Sequence, residues 1–400
     1  MAEQPGFRLL VVGYDQTGIT FLNRLFNGLT ESGVRVILAT QNAREVRKAF
    51  DGQIGCLKLS PIKDNPLRQA VNFLRLAMRV ILSNKRRWLK KLVWQGVDMK
   101  EKLGRFFRYA PFCSVDFEMI YFPWNSVSIT YQKLFDLEIP AVISCRGSQI
   151  NIRPQMPGRK NYVDGLRMTL QRAAVVHCVS EDIQREAQKY GLDVDKSRVI
   201  RPAVDPDIFY PFEVPLQNER FKLITTGSLI WVKGYEYLLT AFKQLVEGGV
   251  DAELHILGQG YMDQNIRFTA MELGLENRVQ LHGRVKPEEV LAQLQQADAF
   301  VLSSLSEGIS NAVLEGMSCG LPIVTTDCGG MREAVTDGIE GYVVPVRVPD
   351  AMARALVKLA GDPELRTRIG EAGRRRVIDE FNLADQVREF LSLFEAVLNA

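Results

Sequence analysis

The sequence predicts an α/β protein built on parallel sheets and folded as more than one domain. Three observations carry this. Residues 299–302, Ala-Phe-Val-Leu, read as a buried strand, followed by a polar loop, a helix over about 311–319, a second buried strand at 322–326 and Gly329-Gly330. Strand, loop, helix and strand in so few residues form the βαβ unit of a parallel sheet. The same grammar opens the chain, with an apolar run at 7–12, a helix over about 19–32 and a strand at 34–40. Finally, 400 residues suggest two or three domains of usual size.

In chain order, the first strand ends at Gly13, and a loop containing Asp15 and Gly18 leads to the helix. Gly-x-Gly-x-x-Gly is absent there, so this is not a dinucleotide fingerprint. Residues 66–110 break the rhythm. They hold twelve Lys or Arg against Asp98 and Glu101, interleaved with Phe73, Leu76, Trp88, Leu92, Trp94, Leu103, Phe106 and Phe107. Helices with one basic and one aromatic face fit an anionic membrane surface or a lipid-linked acceptor. The alternative is a solvated basic face packed on the domain. No nucleic-acid module accompanies the patch, so no nucleic-acid partner is expected.

A strand at 119–122, a helix over about 126–136 and a strand at 139–144 follow, ending at Cys145-Arg146-Gly147-Ser148-Gln149. An Arg at a strand's carboxyl end suits an anionic ligand; a structural salt bridge is the equal alternative. Next come a helix at 166–174 and a strand at 175–179, in which His177 reads as a packed core residue. Ser180 caps the following helix. Residues 210–219, proline-spaced and aperiodic, mark a domain boundary. Beyond it lie strands at 223–226, 252–257, 279–283 and around 341–344. A loop from Gly227 to Gly234 turns into a helix reaching 245, Gly258-Gln259-Gly260 ends another strand, and Pro287 opens a helix. The tail from 363 is helical through Phe381, Phe390 and Phe394.

The loop after residue 302 suits a ligand, because such loops line the crevice of open α/β sheets. Gly308 permits close backbone approach. Ser310 or Asn311 can cap a helix whose free N–H groups favour phosphate. Glu315, about one turn in, can grip a vicinal diol such as a ribose through two hydrogen bonds. Glu307 lies before the helix with seven residues between the two acids, nearer the chemistry.

These residues resemble the signature of retaining glycosyltransferases of family 4. Glu307-Gly308-Ile309-Ser310, Glu315-Gly316, Gly320-Leu321-Pro322-Ile323 and Gly329-Gly330 fall in the family's register, with Ser310 replacing a glycine. Lys233-Gly234 matches the family's Lys-Gly after Gly227, while Ser228 replaces its Arg. Arg146 and Gln149 stand where His and Asp are usual.

The resemblance implies two Rossmann-like doubly wound domains facing a cleft, the GT-B fold. It places an acceptor domain at 1–205, a nucleotide-sugar domain at 206–380, and a last helix, 381–400, crossing back to the first. Transfer of a sugar from a nucleotide-diphosphate sugar, such as a UDP-sugar, to a glycan or lipid-linked acceptor is implied, with retention, in cell-surface polysaccharide or glycolipid synthesis. Lys233 and the amides of Ile309, Ser310, Asn311 and Ala312 fall to the diphosphate, Glu315 to the ribose and Glu307 to the donor sugar. Gly227, Ser228 and Gly258 line the donor side, with Arg284 and Val285 against the base. Gly13, Asp15, Gly18 and Arg146 lie on the acceptor or phosphate side. The rivals are a nucleotide-sugar 2-epimerase of the same fold and a non-catalytic sugar-nucleotide-binding subunit or membrane scaffold.

Composition fits an ordinary globular chain, at 46% hydrophobic and 24% charged with net charge +3. Six cysteines without CxxC and three histidines argue against a zinc site, so neither metal nor cofactor is expected. The cysteines read as buried residues of a reducing cytosol. No signal peptide and no run of roughly 18 apolar residues is seen. The expectation is a cytoplasmic protein, peripheral at most on the inner face of the plasma membrane.

Overall fold

The structure, a computed structural model, describes residues 6–14, 20–59, 66–83, 85–94, 98–212 and 219–400. Asp15, Gly18 and part of the aperiodic stretch at 210–219 lie outside the described residues. Met1–Cys178, Gln184–Ile200 and Val387–Ala400 form one compact unit, and Val179–Ile183 with Arg201–Gln386 a second.

The first unit is a parallel sheet ordered β3-β2-β1-β4-β5-β6-β7. Its strands are β1 (Arg8–Val12), β2 (Arg35–Thr40), β3 (Gly55–Lys58), β4 (Met119–Phe122), β5 (Ala141–Cys145), β6 (Val175–Cys178) and β7 (Ser197–Val199). Leu9 to Val12 are all fully buried, as a strand covered on both faces demands. The sequence reading missed β3, because Gly-Cys-Leu-Lys is too short and mixed to show a period. It also merged helix Asn125–Thr130 with the 3-10 turn Gln132–Leu137. His177 is fully buried, as expected, and its ring meets Phe390 of the last helix edge-on at 4.7 Å.

The second unit is ordered β10-β9-β8-β11-β12-β13. Its strands are β8 (Phe221–Thr226), β9 (Ala252–Leu257), β10 (Val279–Gly283), β11 (Ala299–Leu302), β12 (Ile323–Thr326) and β13 (Gly341–Val344). Alternate residues feed two cores. Leu223, Val301, Val324 and Val344 pack on one face with helices Tyr235–Glu247 and Pro349–Gly361. Ile224, Phe300, Leu302, Ile323 and Val343 pack on the other with Leu314 and Met317. A period of two with apolar residues on both faces makes a doubly wound layer. Both units are therefore Rossmann-like, which is the composition of the GT-B fold.

Residues 66–110 form helices Pro66–Leu82, Arg86–Val93 and Met99–Tyr109. The expected aromatic outer face is corrected here. Phe106 is buried, and Trp88 packs on Phe117 with ring centroids 5.3 Å apart. Phe106 and Trp88 fill the seam with the domain, whereas Trp94 is exposed, and much of the outward apolar surface is aliphatic.

All six cysteines are free thiols, five of them buried. No described helix is long and apolar enough to cross a membrane.

Candidate functional site

In a doubly wound sheet the ligand crevice opens where strand order reverses, at the carboxyl ends of the two central strands. In the second unit these are β8 and β11. After β8, the 3-10 turn Trp231–Lys233 folds the chain back, and Gly234 follows at φ 61°. A Cβ at Gly234 would run into the Ser303 carbonyl, so glycine lets the two loops touch. Two bonds tie the contact. Ser303 Oγ donates to the Lys233 carbonyl at 2.8 Å, and Leu305 N donates to the Val232 carbonyl at 2.7 Å.

This joint brings the two charged candidates together. Lys233 Nζ donates to Glu307 Oε1 at 2.5 Å, and Ser304 Oγ donates to the same oxygen at 2.7 Å. The side chains are 17% and 16% exposed, so the pair is poorly screened by water. Burial first, then the Glu307 charge, pushes the Tyr235 phenol above its ordinary value and the Cys328 thiol up to about 12. Both neighbours are neutral near pH 7.

The remaining candidates divide. Gly227 lies beneath the Lys233 side chain, since a Cβ there would stand 3.5 Å from its Cε. Gly258, at φ 149°, presses on the Gly227 carbonyl, so the turn after β9 buttresses the turn after β8. Ser228 is exposed and offers its carbonyl to the Tyr235 hydroxyl at 3.5 Å. Gly308, Ile309 and Ser310 are buried, and Gly330 N donates to the Gly308 carbonyl at 2.7 Å, holding the loop against the turn after β12.

Helix Asn311–Ser318 starts at Ser310, but the expected side-chain cap is not formed. Ser310 has the extended backbone of a cap (φ −81°, ψ 118°) without the bond. Asn311 Oδ1 is buried with no hydrogen-bond partner among the described residues. The helix start thus has cap geometry and no capping side chain, which suits an incoming anion. Ala312 is half-buried in the first turn and Glu315 half-buried one turn on; burial and then the Glu315 charge raise the Cys319 thiol. Exposed Arg284 and half-buried Val285 follow β10, the edge strand, two positions from β8.

Sequence reasoning missed Ser303, Ser304 and Thr326, whose Oγ1 donates to the Ser304 carbonyl at 2.5 Å. A signal existed, because hydroxyl residues at the end of a fully apolar strand must find buried partners.

In the first unit, Gly13 follows β1 at φ 94°, where a Cβ would run into the Val127 side chain. Arg146, after β5, donates from Nε to the Pro123 carbonyl at 3.1 Å and from Nη2 to the Tyr121 hydroxyl at 3.0 Å. Phe21 lies 5.0 Å and Trp124 5.9 Å from its guanidinium carbon. These contacts, not a salt bridge, hold it among the described residues. The bonds continue inward. The Ile200 carbonyl only accepts, so His177 Nε2 donates to it at 2.8 Å. Nδ1 then accepts from Ser144 at 2.7 Å, and Ser144 accepts from Tyr121 at 2.7 Å. Burial, then the Arg146 charge, pulls His177 from 6.5 to about 3. Gln149 Oε1 accepts from Ser126 Oγ at 2.6 Å beside helix Asn125–Thr130.

In the second unit, His255 sits between Glu253 and His282, at 2.9 Å from each. No histidine therefore stands free as a base, and no metal-binding cluster occurs among the described residues.

A pair of doubly wound parallel sheets of this kind defines the class of GT-B proteins. Two family models match the chain, Glycosyltransferase Family 4 over residues 20–208 and Glycosyl transferases group 1 over residues 207–376. The chain belongs to the group 1 glycosyltransferase family.

Among its relatives is the putative colanic acid biosynthesis glycosyltransferase WcaL of Escherichia coli, 29% identical over 244 residues, 59% of this chain and 60% of that one. Another is the putative glycosyltransferase EpsD of Bacillus subtilis, 28% identical over 242 residues, 60% of this chain and 56% of that one. The chain thus spans less than two thirds of the length of these relatives. Among solved structures, HepE of Anabaena in complex with UDP has a TM-score of 0.75 at 14% identity, covering 98% of this chain and 100% of that one. Sucrose-phosphate synthase from Thermosynechococcus elongatus has a TM-score of 0.77 at 16% identity, covering 98% and 99%. At these identities the structural likeness speaks to fold alone.

Proposed function

We propose that this protein moves a sugar from a nucleotide-diphosphate sugar to a glycan or lipid-linked acceptor, with retention of anomeric configuration, in polysaccharide or glycolipid synthesis. The observation that carries the reading is the 2.5 Å Lys233–Glu307 contact at the switch point, beside a helix start without a side-chain cap. An incoming diphosphate takes the ammonium from Glu307 and receives the first-turn amides. The Glu307 carboxylate, still held by Ser304, then meets the donor sugar's hydroxyls or the positive charge that grows at its anomeric carbon. As the bond from that carbon to the phosphate oxygen breaks, negative charge builds on the nucleoside diphosphate, where Lys233 stabilises it. Glu315 takes the ribose hydroxyls. Relatives named as a putative colanic acid biosynthesis glycosyltransferase and a putative glycosyltransferase support this class of reaction.

The test is a panel of nucleotide sugars screened by thermal shift, because a bound donor raises stability by mass action. Nucleoside diphosphate release and the product's anomeric proton coupling are then followed for the donor selected. A donor that stabilises and is consumed only with acceptor, giving the donor's own anomer, supports the proposal. Turnover without acceptor would assign an epimerase instead.

A further inference from the structure

The first unit carries an apolar surface that sugar transfer does not need. Helix Pro66–Leu82 has two apolar stripes. Leu76 and Val80 are buried, and Phe73 meets Phe106 with ring centroids 4.7 Å apart; these face the domain. On the other side, Val71, Leu74, Met78, Ile81 and Leu82 follow helical spacing and are 57% to 79% exposed. A helix with water on its outer side places polar residues there. A contiguous exposed apolar stripe marks an interaction surface. Met99 and Leu103 of helix Met99–Tyr109 and Trp94, just past helix Arg86–Val93, are exposed as well.

The charges around these residues say what covers them. Arg75 and Arg79 border the stripe, and Arg86, Arg87, Lys90 and Lys100 are exposed on the neighbouring helices. Lys85, Lys91 and Arg105 are engaged by Asp116, Glu138 and Glu101. A second copy of this chain would set like charges against one another. An anionic interface accepts them all and takes up the aliphatic side chains.

We propose that this helical insert docks on an anionic lipid bilayer, with the stripe from Val71 to Leu82 lying at the headgroup–acyl boundary and the flanking Arg and Lys among the phosphates. No described helix can cross a membrane, so the helix lies in the interface plane. The proposal is independent of which sugar is moved, and its test needs no nucleotide sugar.

The full chain is floated with phosphatidylcholine vesicles, with and without phosphatidylglycerol. It binds only the anionic vesicles, and added salt weakens binding. The variant Leu74→Ser/Met78→Ser/Ile81→Ser lowers the bound fraction by about tenfold or more, since the apolar face supplies the insertion energy. Its thermal unfolding matches the parent, because the three side chains are exposed in the folded protein. Arg86→Gln/Arg87→Gln/Lys90→Gln gives a smaller loss that high salt abolishes. Absence of binding to anionic vesicles, equal binding to neutral ones, or undiminished binding by the serine variant would overturn the proposal. So would a dimer in solution that the serine variant dissolves, which would assign the stripe to a second copy.

Discussion

Two of the cations that follow strands in this protein, Lys233 and Arg146, are held in opposite ways. Lys233 of the second unit faces the Glu307 carboxylate at 2.5 Å. Arg146 of the first unit is held, among the described residues, by a carbonyl, a phenol hydroxyl and two aromatic faces. An ion pair is easily exchanged for a stronger anion, because the lysine's single charge swings on a flexible stem. A guanidinium fixed by neutral groups keeps both its place and its charge. The first arrangement is suited to a group that changes partner during a reaction, the second to one that orients without moving.

The largest expected effect comes from deleting the exchangeable charge. Lys233→Ala is expected to lower transfer by about 10²–10³ with the donor the panel selects, the cost of losing one stabilising donor at a charge that develops in the transition state. Parental rates in steady-state assays of nucleoside diphosphate release would erase the contrast. Next are the two acids. Glu307→Ala is expected to reduce kcat by about 10², and Glu315→Ala to raise the donor KM by about tenfold with kcat little changed. The reverse pattern would exchange their roles.

The fixed side of the comparison is tested by pH. His177 titrates near 6.5 in the unfolded chain and at about 3 in the folded one, owing to burial and then to Arg146. The unfolded state therefore binds the proton first as pH falls. This stability is complete above about 6.5 and drains toward pH 3 at up to about 1.4 kcal/mol per unit. His255 and His282, also lowered by burial, act in the same direction. Urea midpoints between pH 7 and 5 measure the slope, and imidazole nitrogen shifts should show His177 still neutral at pH 5. A His177 that protonates in the folded state at pH 5 would contradict the bonding order from Arg146 to Ile200. The smallest effect is Tyr121→Phe, which removes one hydroxyl between Arg146 and Ser144. It is expected to cost about 1–2 kcal/mol in denaturant unfolding.

Much of the second unit was legible because its signals are local. Apolar runs such as Ala299–Leu302 are buried strands in any setting, and β9, β10 and β11 fall at the predicted residues. The meeting of Lys233 with Glu307 needed more than spacing. It follows from the sheet order, which sets β8 beside β11 although 72 residues separate Thr226 from Ala299. The hidden parts lacked a periodic signal or depended on partners far along the chain. β3 is four mixed residues, and Ser304 acquires its role only once Glu307 folds over it. In residues 66–110 the sequence showed apolar and basic residues together. It could not divide them into an inner seam and an outer stripe, since that depends on which helix face meets Phe106 and Phe117.

Calorimetric titration of the selected donor's nucleoside diphosphate into the parent, Lys233→Ala and Glu315→Ala proteins tests the central claim most directly. Binding by the parent, with about tenfold or greater weakening in each variant, is the predicted result. Equal affinity in all three would place the nucleotide elsewhere and contradict the assignment of the β8–β11 switch point as the donor site.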